Sequence, residues 1–228
     1  ISANSLLNAN ALLATLAGAG MVLLTGMLAW ALGGRRPSQA LAMIVVLVAP
    51  QYLGTDGYLS MNSFEPVFWM GCLLTLILLV RGGSERLWIV FGLLAGMGLL
   101  NKPSMTFFLV ALLVALVLAP QRRILATKWA AVGVLLLILI ALPNLIWQIH
   151  NDWPTLEFLR NGALENKNIK LAPLPFIGRQ ILQLQPGTML IWGAGLVWLL
   201  RNSSARPWRW LGWMFLFFFA GMMAMHAK

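Results

Sequence analysis

Solid apolar runs follow one another along nearly the whole chain, several of them close to the roughly 20 residues that a helix needs to cross a bilayer core. LLLILIALPNLIW, at residues 135–147, is representative. A membrane β-barrel would alternate apolar and polar positions over roughly ten residues, and these runs do not. Only 10% of the 228 residues are charged, against about a quarter in a soluble domain. The sequence therefore predicts an all-α, polytopic transmembrane helical bundle in one domain over 1–228. Candidate spans lie at 11–32, 40–54, 64–80, 87–100, 104–119, 129–147, 188–200 and 208–225, about eight in all.

The formal charge of +10 does not point to nucleic acid. The basic residues form small clusters between apolar runs, which is the topology signal of a membrane protein rather than a continuous basic face. Alternating the spans places Arg35, Arg36, Arg81, Arg86, Arg122, Arg123, Lys128, Arg201, Arg206 and Arg209 on one side. Lys102, Arg160, Lys167, Lys170, Arg179 and Lys228 fall on the other. The richer side, with short loops only, reads as cytoplasmic. Of the acids, only Glu85 is then cytoplasmic; Asp56, Glu65, Asp152, Glu157 and Glu165 face outward. Acids contribute little to topology, so the bias points to chemistry on the outer face. The chain opens on Ile and stops at MHAK directly after an apolar run, so it reads as an internal fragment. The single Cys72 excludes an internal disulfide.

The one long loop, 148–187, is expected on the outer face. Its ends, TLEFLR and FIGRQILQL, mix apolar and charged residues and read as short interfacial helices. Gly92, Gly96 and Gly98 in FGLLAGMGLL permit close helix packing.

Four places carry polar residues at the lips of apolar runs. In LSMNSFEPVFW, residues 59–69, Pro66 suits a first helical turn and Asn62 and Ser63 are good N-cap types. Glu65 there either complements the helix dipole or, with Asn62 and Asp56, binds a polar substrate. Asp56, in GTDGYL, is equally a turn residue. In LLNKPSM, a tight hairpin presents Asn101 and Lys102 at its tip. A cation there suits an anionic headgroup, although a lysine near the interface also snorkels. His150, Asn151 and Asp152 follow a long helix, between the belt-forming Trp147 and Trp153. His150 and Asp152 are too few ligands to define a metal. HExxH, CxxC, Walker and GxSxG motifs are absent from the sequence.

LSMNSFEPVFW, then RLWIVFGLLAGMGLLNKPSMTFF, then PNLIWQIHNDWPTLEFLRN, in that order, resemble the membrane glycosyltransferases of the dolichyl-phosphate-mannose protein mannosyltransferase type, a group that includes the bacterial aminoarabinose lipid A transferases. The terminal HAK resembles the start of that group's lysine-and-tyrosines segment. The resemblance implies a GT-C fold at a bacterial inner membrane, with its active face outward. It implies a polyprenyl-phosphate sugar donor, membrane lipid around it, and a lipid, glycan or protein acceptor. The family's principal catalytic acid lies in the first outer loop, expected upstream of this chain, so the fragment is expected to be inactive alone. That loop is also where ligands for a divalent metal would come from.

Glu65 matches the place of a second family carboxylate, usually Asp, and Lys102 matches the family's lysine after the glycine-rich helix. With this resemblance, Glu65 and Asp56 are the expected catalytic residues, orienting sugar or acceptor. Lys102 is expected on the donor phosphate. Asn62, Asn101, His150, Asp152, Glu157, Arg160 and Lys228 are expected to bind substrate. The competing reading is a transporter or flippase of a lipid-linked or anionic substrate. Its mark would be mid-membrane ionisable residues and inverted repeats with broken helices, and the sequence has neither.

Overall fold

The computed structural model describes residues 3–55, 58–164 and 172–224. Regular structure among them is helical throughout: α1 Ala3–Ala31, α2 Arg36–Leu47, α3 Pro50–Thr55, α4 Met61–Val80, α5 Leu87–Asn101, α6 Ser104–Leu118, α7 Lys128–His150, α8 Pro154–Leu164, α9 Pro173–Gln183, α10 Met189–Arg201 and α11 Arg209–Ala224. Short 3-10 turns at Pro120–Leu125, Pro186–Thr188 and Arg206–Trp208 join some of them.

Three helices are long and apolar enough to cross a membrane: 10–31 within α1, then α4 and α7. α2, α5 and α6 are shorter apolar helices. Of the eight expected spans, three are thus full-length helices and three fall on shorter apolar ones among the described residues. The run at 40–54 holds two helices, because Pro50 has no N–H to continue the ladder and instead opens α3. The stretches 155–160 and 176–184 are helical, as expected: α8 contains the first, and α9 covers the second from Pro173 up to Gln183.

The packing order is α2 on α1, α1 on α4, α4 on α5, and α5 on α7, with α6 against α11 and α11 against α10. The core lies among α4, α5, α6 and the start of α11, where Cys72, Leu76, Met105, Phe108 and Trp210 are fully buried. Most of α7 stays outside it. Leu135, Ile138, Leu139, Leu142, Leu145 and Ile146 are all exposed. Monomeric soluble proteins rarely expose a continuous apolar surface of this kind; lipid is the solvent that suits it. The protein is integral to a membrane.

α5 meets α7 backbone to backbone. A Cβ on Gly92 would lie 2.2 Å from the Gly133 carbonyl oxygen, and one on Gly96 would lie 2.8 Å from Ile140 Cβ. Both contacts advance together along the two chains, so α5 and α7 run parallel. The packing role expected for the glycines holds at both positions. Gly98 faces the Met105 side chain of α6 instead.

The basic loops gather at one end of the bundle. There Arg81 donates to the Ala31 carbonyl at 2.9 Å and lies 5.4 Å from the Trp30 ring, while Arg86 lies 5.6 Å from the Trp129 ring. The opposite end carries the starts of α4 and α6 and the end of α5.

Candidate functional site

The start of α4 is set by Ser60, whose hydroxyl accepts from the Asn62 N–H at 3.2 Å. The expectation of a cap at Asn62 or Ser63 is corrected here: the helix begins at Met61, so both lie inside it. Glu65 and Pro66 fall in the second turn. The Ser63 hydroxyl is still used, donating to the Thr55 and Tyr58 carbonyls at 3.0 and 3.1 Å. It ties α4 to the end of α3, and one helical start needs only one such cap. Pro66 lacks the N–H that would bond the Asn62 carbonyl four residues back.

The α5–α6 hairpin reaches this end of α4. Lys102 is extended, with φ −159° and ψ 136°, as a residue before proline prefers. The tip then fastens to α4 through four hydrogen bonds from three side chains. Asn101 Nδ2 donates to the Met61 carbonyl at 2.8 Å. Lys102 Nζ donates to Asn62 Oδ1 and to Glu65 Oε2, both at 2.8 Å. The Ser104 hydroxyl donates to Glu65 Oε1. Four of the sequence candidates, Asn62, Glu65, Asn101 and Lys102, are therefore in one cluster.

Its electrostatics follow from counting donors. An ammonium has three N–H donors, and Asn62 and Glu65 take two. Among the described residues the third has no acceptor, and the lysine side chain is 30% exposed against 16% for Glu65. The arrangement offers one oriented, charged donor to an incoming anion. Glu65 has both oxygens occupied by donors of the hairpin, so it holds the lysine rather than standing free.

One turn deeper lies an aromatic rung. Trp69 is four residues beyond Glu65 and Phe108 four beyond Ser104, hence on the same helix faces. Their rings stack at 4.9 Å, and Phe218 of α11 meets the Trp69 ring edge-on at 5.1 Å. The sequence reading missed Ser104, Trp69 and Phe108. Their signal was present: a hydroxyl two residues past Lys102, and aromatics one helical turn from each polar residue.

The other candidates lie apart. His150, Asp152, Glu157 and Arg160 are exposed around the α7–α8 elbow and make no hydrogen bond to the cluster among the described residues. The elbow itself is tightly built. Asp152 and Trp153 both take positive φ, 56° and 59°, an uncommon conformation for such side chains. Buried Gln148 spans it, bonding the Thr155 hydroxyl and accepting from the Thr155 N–H at 3.2 Å. Gln148→Ala removes both bonds. It is expected to cost about 1–3 kcal/mol and to speed protease cleavage near residue 152; an unchanged cleavage rate would mean other contacts hold the elbow. Asp56 and Lys228 lie outside the described residues. Among those described, no group of three or more His, Cys, Asp or Glu side chains could hold a metal ion.

A second feature is an apolar cavity of about 480 Å³. Val45, Ala49, Tyr52, Trp192, Leu196 and Phe215 are among its lining residues, drawn from α2, α3, α10 and α11. α11 stands between cavity and cluster: Phe218 faces Trp69, while Phe215 and Phe219 line the cavity. α3 joins the two, lining the cavity with Tyr52 and receiving Ser63 of α4 at Thr55.

A family model described as dolichyl-phosphate-mannose-protein mannosyltransferase matches residues 3–147. The matched stretch contains the whole Glu65–Lys102 cluster and ends before His150. No curated protein and no solved structure matches the chain.

Proposed function

Because the chain belongs to the dolichyl-phosphate-mannose-protein mannosyltransferase family, a family of membrane glycosyltransferases, we propose that it moves a sugar from a polyprenyl-phosphate donor to a lipid, glycan or protein hydroxyl. On this reading the reaction takes place at the outer face of the membrane, the periplasmic side of a bacterial inner membrane. The observation that carries the proposal is the Lys102 ammonium, held by Asn62 and Glu65, with its third N–H bonded to none of the described residues.

The chemistry needs such a group. The acceptor oxygen attacks the sugar's anomeric carbon, the bond from that carbon to the phosphate oxygen breaks, and the phosphate leaves with increased negative charge. A fixed cation at that oxygen stabilises the transition state more than the bound donor. The acceptor proton passes to a carboxylate base. On this reading Glu65, which accepts one donor on each oxygen and keeps further lone pairs, and Asp56 act toward sugar or acceptor, and the principal base is supplied by the family's first outer loop. Inversion at the anomeric carbon follows from one direct displacement.

The apolar cavity supports a donor with a long hydrocarbon tail, since it would shelter isoprene units within reach of the same end of α4. Gly195 offers a clean test. It lines the cavity, and a Cβ added there meets nothing within 4 Å. Gly195→Leu should fill part of the space without strain. KM for a long-chain donor is expected to rise about fivefold, with a short-chain donor unaffected; roughly 1 kcal/mol of lost apolar contact corresponds to that factor. Equal effects on both donors would detach the cavity from the tail.

The direct test is a transfer assay on the full-length parent protein in membranes. Radiolabelled polyprenyl-phosphate sugars are supplied, and label is followed into lipid, glycan and protein. Movement of the sugar-lipid across vesicles without transfer would replace this reading with a transporter.

A further inference from the structure

We propose that Ser104 is a positioning residue for the donor phosphate, acting through Glu65 on Lys102; the inference rests on the transferase reading above. Neither a cap nor a helical contact accounts for this serine. It is the first residue of α6, yet its hydroxyl makes no capping bond and donates across to Glu65 on α4. Lys102 grips the other oxygen of the same carboxylate from two residues earlier, with Pro103 between them fixing the backbone. The carboxylate is thus held at both oxygens by one hairpin tip.

That geometry has a consequence for Lys102. A glutamate side chain has three rotatable bonds, and its terminal torsion is broad. With only Lys102 attached, the carboxylate could turn and the ammonium could follow it. Ser104 removes that freedom. Asn62 supplies the second anchor for the ammonium, so the remaining N–H of Lys102, which meets no acceptor among the described residues, keeps one direction. Ser104 itself need not touch the ligand. Its contribution is orientation, which matters most where a charged group must meet a small anion at hydrogen-bond distance.

The test compares wild type, Ser104→Ala and Ser104→Thr in the full-length protein, with kcat and KM for the donor measured separately. Binding of polyprenyl phosphate lacking a sugar, and the thermal midpoint, are followed alongside. Ser104→Ala is expected to weaken polyprenyl-phosphate binding and raise donor KM about tenfold, through loss of the fixed direction of the Lys102 ammonium. The thermal midpoint should fall only slightly, as for the loss of one hydrogen bond, and Ser104→Thr, which keeps the hydroxyl, should restore binding. Wild-type values in Ser104→Ala would overturn the inference. So would a loss shared by Ser104→Thr together with a large fall in midpoint, which would make the serine structural. A wild type that binds polyprenyl phosphate but transfers no sugar would defeat the transferase reading alone, and weakened binding in Ser104→Ala would still uphold the positioning role. A wild type that does not bind the lipid phosphate would overturn both.

Discussion

Lys102→Ala is expected to lower sugar transfer by about 10²–10³-fold, the loss typical when one preorganised donor to a developing oxyanion is removed. The ammonium is the cluster's single cation, and nothing described nearby replaces it. Its removal also leaves Glu65 with Ser104 alone. Because the pair is partly exposed, the stability cost should be about 1 kcal/mol, too little to unfold the protein. Protein level and thermal midpoint in membranes should therefore change little while activity collapses. Glu65→Gln probes the same interaction from the other side. It keeps shape and one acceptor but loses the charge, so a fall of about 10–10²-fold is expected, chiefly in donor KM. The double variant should be no worse than Lys102→Ala, since a carboxylate that works by holding a lysine has no role once the lysine is gone. Additive losses would instead give Glu65 a separate contact with substrate. Full activity in both single variants would remove the cluster from the mechanism.

The pieces of this site differed in how far the sequence exposed them. Glu65 and Lys102 stood out because ionisable side chains are costly among apolar runs, about 2.5–3.5 kcal/mol at the bilayer centre, so each one asks for a reason. Their pairing did not stand out. They are 37 positions apart, and only the packing of the α5–α6 hairpin against α4 fixes which turn of one meets which residue of the other. Ser104 carried no charge to draw notice, and its partner is equally remote in sequence.

The fold shows the same division. Hydrophobic runs marked the helices closely, because every backbone N–H in lipid must be satisfied within its own segment. Their ends were harder. A proline was read as a first-turn residue at Pro66, yet α4 starts earlier because Ser60 supplies the side-chain oxygen. The break at Pro50 needed the reverse reading, a proline that restarts a helix. His150 and Asp152, near neighbours in sequence, sit at an elbow where Asp152 and Trp153 take positive φ, and among the described residues no hydrogen bond joins them.

Gly92→Leu should be the most destabilising single substitution among the helix contacts, by about 3 kcal/mol, the upper end for overpacking. The reason is that the obstacle is backbone. A Cβ at 92 meets the Gly133 carbonyl at 2.2 Å, and one at Gly133 meets the Trp88 carbonyl at 2.4 Å. No rotamer change relieves a main-chain clash, so α5 and α7 must separate. In a bilayer that separation forfeits the van der Waals contact that drives helix association. Gly193→Ala in α10 is the control, since a Cβ there meets nothing within 4 Å. It should be neutral or stabilising by about 0.5–1 kcal/mol, the usual gain from alanine over glycine in a helix. The effect should also reach the site. Lys102 lies ten residues beyond Gly92, about 15 Å along the same helix direction, and a tilt of α5 carries the hairpin tip with it. Gly92→Leu should thus lose donor binding and thermal midpoint together, whereas Lys102→Ala loses activity alone. A Gly92→Leu protein that keeps its wild-type midpoint would show that the α5–α7 contact is looser than the backbone distances require, and the positional accuracy assigned to Lys102 would have to come from α4 and α6 alone.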